Sequence, residues 1–194
     1  MKAKANELPI VLFENQQAFE EWLADHYDKS PGIRMQIAKK NSGLTSASYA
    51  EALDVALCYG WIDSQKESLD ERSYLQRFTP RGPKSIWSKV NVGKVEQLIA
   101  NGRMKPPGLE AIEKAKQNGL WDKAYASSSN VTMPEDLAAA LEQNAKAAAF
   151  YETLNKQNKF AILFRIHNVK KEETRKKKIM QFVEMLEKGE KIYP

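Results

Sequence analysis

Between Arg77 and Lys89 the chain reads RFTPRGPKSIWSK, with four basic side chains, two aromatic rings, two prolines and no carboxylate. A guanidinium presents a planar fork of donors that matches the two oxygens of a carboxylate or phosphate, and a tryptophan beside it supplies a stacking face. The prolines at 80 and 83 restrict the backbone on either side of Arg81-Gly82. A helix starting just beyond, at Ser85 or Asn91, would add free amides and a partial positive charge. The stretch therefore reads as a place for an anion: a phosphate, a carboxylate or an acidic protein surface. Arg77, Arg81, Lys84 and Lys89 would supply the charge, with Trp61 and Trp87 lining the place. The competing reading has the same cations neutralised by the acidic first 71 residues and Trp87 buried in the core.

Asp63 is the acid nearest to this segment in a folded hairpin. If the turn between two strands centres near Asp70, Asp63 faces Arg77 and Gln65 faces Leu75, and Trp61, Asp63, Gln65, Arg77 and Thr79 share one side. An Asp beside an Arg either orients the guanidinium toward a ligand or stitches two strands together. An Asp63 left free of Arg77 and facing a cleft would instead be a candidate acid or base for an unfamiliar enzyme.

Other chemistry is sparsely represented. The run Thr174-Arg175-Lys176-Lys177-Lys178 reads as a solvated helix face with snorkelling lysines, or as a second nucleic-acid contact beside residues 72–105. His26 and His167 belong to helical apolar patterns, and Cys58 sits in a helix stripe, so a Cys–His pair has little support. The sequence contains no HxxxH, CxxC, GxGxxG or GxxxxGK[ST] pattern, and it calls for no metal, no cofactor and no assigned catalytic residue. The adjacent acids Asp70-Glu71 and Glu172-Glu173 fall in a turn and at a helix start, ordinary places for carboxylates.

The elements that must position these residues follow from periodicity. Residues 9–14 read as a short strand, and Phe19, Trp22, Leu23 and His26 mark one face of a helix over about 16–27. Residues 33–37 alternate like a half-buried strand. Ser48 and Glu51 have the spacing of a capping box, ahead of a stripe of Leu53, Ala56 and Leu57 that Gly60 ends. Residues 61–66 and 74–79 read as an antiparallel hairpin. Beyond it, Asn91 is a candidate cap for a helix carrying Val92, Val95, Leu98 and Ile99, and Lys105-Pro106-Pro107-Gly108 reads as a stiff connector to a helix at 109–118. Residues 126–130, ASSSN, are the best linker. Pro134 opens the next helix, Asn144 and Asn158 restart helices, and the last runs from about Glu172 to Lys188 with Ile179, Phe182, Val183 and Leu186 inside. The class is α+β: a small antiparallel sheet with helices over residues 1–126, then an all-helical region over 131–194.

Composition fits one domain, or one with a smaller appendage: 194 residues, 42% hydrophobic and 28% charged. A single cysteine forms no internal disulfide and fits a reducing compartment. The apolar run near the N-terminus is only IVLF, and no stretch approaches the roughly 20 apolar residues of a membrane span, so the expectation is a cytoplasmic protein. The net charge of +5 is segmented: residues 1–71 hold 7 basic and 12 acidic groups, residues 72–105 hold 8 and 1, residues 106–155 hold 4 and 7, and residues 156–194 hold 11 and 5.

Five stretches carry a resemblance. Ala52 to Asp63 (ALDVALCYGWID), Leu75 to Arg81 (LQRFTPR) and Ser85 to Asn91 (SIWSKVN) resemble the YdeI/OmpD-associated family, and Pro134 to Leu137 with Ala161 to Ile166 resemble its bacteriocin-protection region. Ser64 stands where the family pattern suggests glycine, and Gly82 where it often has another basic residue. The resemblance implies protection against bacteriocins or antimicrobial peptides and carries over no catalytic residue. Together with the charge pattern it leads to an expected non-enzymatic stress-protection protein that binds an anionic small molecule or acidic partner.

Overall fold

Strand β1 (Ile10–Leu12) leads to helix α1 (Gln16–His26), whose first turn is closed by the Asn15 side chain accepting from the Ala18 N–H. Phe19 and Leu23 are buried on α1, while Trp22 lies against the core edge and stacks on His26 with ring centroids 4.5 Å apart. Strand β2 (Ile33–Ala38) alternates buried and half-buried as its sequence predicts. Helix α2 (Tyr49–Cys58) begins with the complete Ser48–Glu51 capping box and ends before Gly60, which adopts φ +72°. Strands β3 (Trp61–Ser68) and β4 (Ser73–Pro80) form the hairpin, with the Asp70 carboxylate accepting from the Arg72 and Ser73 amides to close its turn. Helices α3 (Lys89–Ala100) and α4 (Pro106–Gln117) follow. The structure is a computed structural model that describes residues 8–125, 132–169 and 171–193.

The sheet runs β1-β2-β4-β3. It is mixed rather than wholly antiparallel, because β1 pairs parallel with β2 while the other two pairings are antiparallel. Phe13, Phe19, Leu23, Ile33, Met35, Leu57, Trp61, Phe78, Trp87, Val95 and Ile112 belong to one core, in which Phe19 of α1 meets Phe78 of the sheet and α2 packs against β3 and is flanked in turn by α1, α3 and α4.

The hairpin register corrects the expected Asp63–Arg77 pair. Asp63 lies opposite Phe78, and Arg77 lies opposite Arg34 of β2. A register shift between Asp63 and Lys66 moves the pairing by one residue. Because side chains alternate, a slip of one places the two groups on opposite faces: Asp63 shares the helix-packed face with Phe78, and Arg77 shares the other with Thr79, Ile62 and Arg34.

Three helix starts also differ from expectation. Ser88, not Asn91 or Ser85, caps α3 by accepting from the Asn91 N–H. Asn155, not Asn158, caps helix α7 (Lys156–His167) by accepting from the Asn158 N–H. In both cases the polar residue three positions later is inside the first turn, where a cap's bonded amide belongs. Pro106 and Pro107 are the first residues of α4, since a proline there loses no intrahelical bond. Ile99, expected inside, is 45% exposed.

The chain divides into residues 1–125 and 126–194; the expected linker at 126–130 lies outside the described residues. The second unit is all-helical, and with it the architecture is α+β. Helices α5 (Glu135–Glu142), α6 (Ala145–Thr153), α7 (Lys156–His167) and α8 (Glu172–Glu187) bury a core that includes Leu137, Tyr151, Ile162, Ile166, Phe182 and Leu186. Pro134 sits at the cap position of α5 and Asn144 caps α6. Among the described residues, no helix is long and apolar enough to cross a membrane.

Candidate anion-binding site

The segment after β4 is fixed along its length. The Arg81 N–H donates to the Gly60 carbonyl at 3.0 Å, and Ser85 turns back to the Gly82 carbonyl at 2.9 Å. The Asn118 amide at the end of α4 donates to the Pro83 carbonyl at 3.2 Å. The Tyr125 N–H donates to the Trp87 carbonyl at 3.0 Å, and the Lys89 N–H donates to the Tyr125 carbonyl at 2.9 Å. A loop tied at so many points holds its side chains in place before any ligand arrives.

Arg81 is the centre of this loop. Its guanidinium carbon lies 3.5 Å from the centroid of the Trp87 ring. Its Nη1 reaches the Ser85 hydroxyl and the Ile86 carbonyl at 3.4 and 3.5 Å, while Nε and Nη2 are buried without a hydrogen-bond partner. Burial pulls its pKa down to about 10, against the opposing influence of Asp63 and Tyr125. It is therefore still a cation at neutral pH, and a poorly solvated one.

Arg77 approaches from the sheet. Directly opposite it is Arg34, a like-charged cross-strand neighbour that a sheet normally avoids. Arg34 donates to the Leu8 carbonyl at 3.1 Å and lies 3.9 Å from Glu67. The Nε of Arg77 is buried and has no partner. Arg77, Arg81 and Lys84 line one cavity of about 720 Å³, together with Ile62, Thr79 and Ser85. Among the described residues, none that lines it is acidic.

Adjoining it is a cavity of about 350 Å³ lined by Tyr27, Tyr59, Trp61, Trp87, Pro107 and Leu120, with Glu110 and Lys114 among the others. Trp61 is pinned there by its indole N–H, which donates to the Tyr27 carbonyl at 3.0 Å. Arg81 belongs to the walls of both cavities.

The structure thus brings Arg77, Arg81 and Lys84 together and sets Trp61 and Trp87 beside Arg81 as buried walls, 1% and 2% exposed. Lys89, the first residue of α3, is exposed and lines neither cavity. Asp63 also lines neither; it accepts a 2.9 Å bond from the Tyr49 hydroxyl. That phenol is pushed well above its usual pKa by burial first and by Asp63 second.

The competing expectation of neutralised cations holds for part of the segment. Lys94 pairs with Asp54 at 2.7 Å, Arg103 lies 4.0 Å from the same carboxylate, and Lys105 pairs with Glu20 at 2.9 Å. Among the described residues, Arg77, Arg81, Lys84 and Lys89 make no ion pair. The second basic run is different: Arg175 grips Asp136 with two nitrogens and donates its third to the Ile166 carbonyl, and Lys176 pairs with Glu172. Among the described residues no group of three or more His, Cys, Asp or Glu could hold a metal ion.

Sequence reasoning passed over Tyr27, Tyr59 and Asn118, which help to build the aromatic cavity and its lip. Tyr27 and Tyr59 are the C-cap residues of α1 and α2. An aromatic residue just past the end of a buried stripe was the available signal.

Comparison with known proteins divides the chain. Residues 11–111 match the model of a family described as a domain of unknown function (DUF8412). Residues 130–189 match a family described as Bacteriocin-protection, YdeI or OmpD-Associated. The latter match is confined to the C-terminal segment, so residues 52–91, which also suggested that family, fall within the other one. No curated protein and no solved structure matches the chain.

Proposed function

We propose, for a chain that belongs to the family described as a domain of unknown function (DUF8412), that residues 1–125 form a binding module for an anionic group. The observation that carries this reading is the convergence of Arg77, Arg81 and Lys84 on a cavity to whose wall none of the described residues brings a carboxylate. Neighbouring cations of the same segment do find carboxylates, so local folding had acids at hand and did not place them here. A positive cavity with low-dielectric walls concentrates anions, and oxygens that reach the two guanidinium groups gain charge-assisted bonds. Thr79 and Ser85 add hydroxyl donors.

The module acts without catalysis, in the cytoplasm, as the recognition part of a protein whose 131–194 region belongs to protection against bacteriocins or antimicrobial peptides. That last element is supported by the similarity of residues 130–189. Nucleic-acid contact has less support, because Arg175 is already committed to Asp136. An enzymatic role for Asp63 has less support too, because its carboxylate is bonded to Tyr49 and lines neither cavity.

Isothermal titration of the full chain with methyl phosphate, acetate and an acidic peptide tests the reading. Saturable binding of at least one, weakened about tenfold or more in Arg77→Gln, is expected for the loss of a charge-assisted contact. No binding at low salt, or equal affinity in wild type and variant, would remove the site.

A further inference from the structure

The aromatic cavity and the cationic cavity share Pro80, Arg81, Gly82, Pro83 and Ser85, so the two spaces adjoin along one short loop; the aromatic one also carries Glu110 and Lys114, which pair with each other at 2.6 Å. We infer that the ligand joins a planar apolar ring to an oxyanion, with the oxyanion among Arg77, Arg81 and Lys84 and the ring against the Tyr27 and Tyr59 wall of the aromatic cavity. This rests on the anion-binding reading and adds to it the chemical class of the ligand.

Three observations carry it. First, about 350 Å³ lies at the small end of the range for ligand sites, roughly 300–1,000 Å³, which suits one ring system rather than a peptide. Second, the walls are set in advance: Trp61 is held by its bond to the Tyr27 carbonyl, Tyr27 and Tyr59 lie 6.1 Å apart, and Trp87 meets Trp121 edge-on at 4.9 Å. Rigid aromatic walls favour another flat ring through offset or edge contacts. Third, the cation shared by the two cavities is stacked on Trp87 and keeps two nitrogens unpartnered. A ligand with its oxyanion one or two bonds from its ring presents both groups to that one residue. A free metabolite and a modified side chain of a protein share this chemistry, and the small probes below carry it without a protein context.

The test compares phenyl phosphate, methyl phosphate and phenol on the full chain by titration, with tryptophan emission as a second readout. Phenyl phosphate is expected to bind at least about tenfold more tightly than methyl phosphate, a modest return for burying a ring. It is also expected to change the tryptophan emission, which methyl phosphate leaves unaltered. Ala111→Leu, which narrows the aromatic cavity, and Tyr27→Ala, which removes a wall, should each erase that preference while methyl phosphate binding stays within about twofold. Using both guards against one of them failing to fold, which circular dichroism reports. Equal affinity for the two phosphates overturns the inference and leaves the anion site standing. A preference that survives in the folded variants also overturns it. Absence of binding by either phosphate overturns the anion reading itself, and this inference with it.

Discussion

The guanidinium of Arg81 lies flat over Trp87, 3.5 Å from the ring centroid, with two of its three nitrogens buried and unbonded. The stack contributes about 0.5–2 kcal/mol, while each buried donor without a partner costs about 1–3 kcal/mol. Two such donors together cost about 2–6 kcal/mol, so as an element of stability the side chain is a net cost; as a binding group it is already desolvated. Arg81→Met keeps the length and the contact with Trp87 but removes the donors and the charge. The expected outcome is a melting temperature equal to or above wild type, with methyl phosphate affinity down by about tenfold or more. A clear drop in melting temperature in differential scanning calorimetry would mean that Arg81 is structural.

Asn158 is the opposite case, a polar side chain whose bonds are complete. It is fully buried, accepts from the Ile192 and Tyr193 N–H groups, and donates to the Asn155 side chain and the Tyr193 carbonyl. It therefore ties the segment after α8 to the start of α7. Asn158→Leu has similar volume but strands these backbone groups, and should lower stability by roughly 2–4 kcal/mol in urea denaturation. Hydrogen exchange at Ile192 and Tyr193 should quicken in the same variant.

Much of this was legible in the sequence for reasons the structure makes plain. The α1 and α2 faces, the Ser48–Glu51 box, the Gly60 stop and the last helix depend on contacts within one or two turns, which periodicity reports directly. The hairpin register was not legible, because the irregularity between Asp63 and Lys66 adds a residue to one strand without any glycine or proline to mark it. That shift, together with a turn centred one residue beyond Asp70 (Ser68 faces Tyr74), put Asp63 opposite Phe78 and undid the expected Asp63–Arg77 pair, yet Arg77 kept the face where it meets Arg81 and Lys84. Asn91 and Asn158 were mistaken for caps because each follows a better cap by three residues. The cationic cavity could be anticipated from one unbroken stretch. The aromatic cavity could not, because it gathers Tyr27, Tyr59, Pro107 and Leu120 from four separate places.

The Asp136–Arg175 pair predicts a pH dependence in the second unit. The hydrogen bonds from Arg175 hold the Asp136 carboxyl below its ordinary value, and the favourable charge of Arg175 adds to this. A depressed folded pKa stabilises the protein above the unfolded carboxyl value of about 3.9, and that contribution fades as pH falls through the folded value. Asp136→Asn should therefore be less stable than wild type at pH 7, and the two should converge as pH falls through the depressed folded value. The effect is modest because the Asp136 side chain is 45% exposed and water screens the pair. Thermal melts from pH 7 to pH 2.5 check it, and a gap that persists at the acid end would assign the loss to packing instead.

Two glycines beside the site should respond in opposite ways. Gly60 has φ +72°, and a Cβ there would sit 2.8 Å from the Pro107 carbonyl oxygen, where the end of α2 meets the start of α4. Gly60→Ala should cost about 1–3 kcal/mol through backbone strain and that clash, read by urea denaturation. Gly82 lies in the wall of both cavities, has no left-handed φ, and an added Cβ meets nothing within 4 Å. Gly82→Lys should therefore fold with an unchanged melting temperature. Its added charge should tighten methyl phosphate binding several-fold at low ionic strength, a gain that shrinks as salt shortens the Debye length from about 30 Å at 0.01 M to about 8 Å at 0.15 M. Unchanged phosphate affinity in a folded Gly82→Lys at low salt would place the bound anion away from this loop.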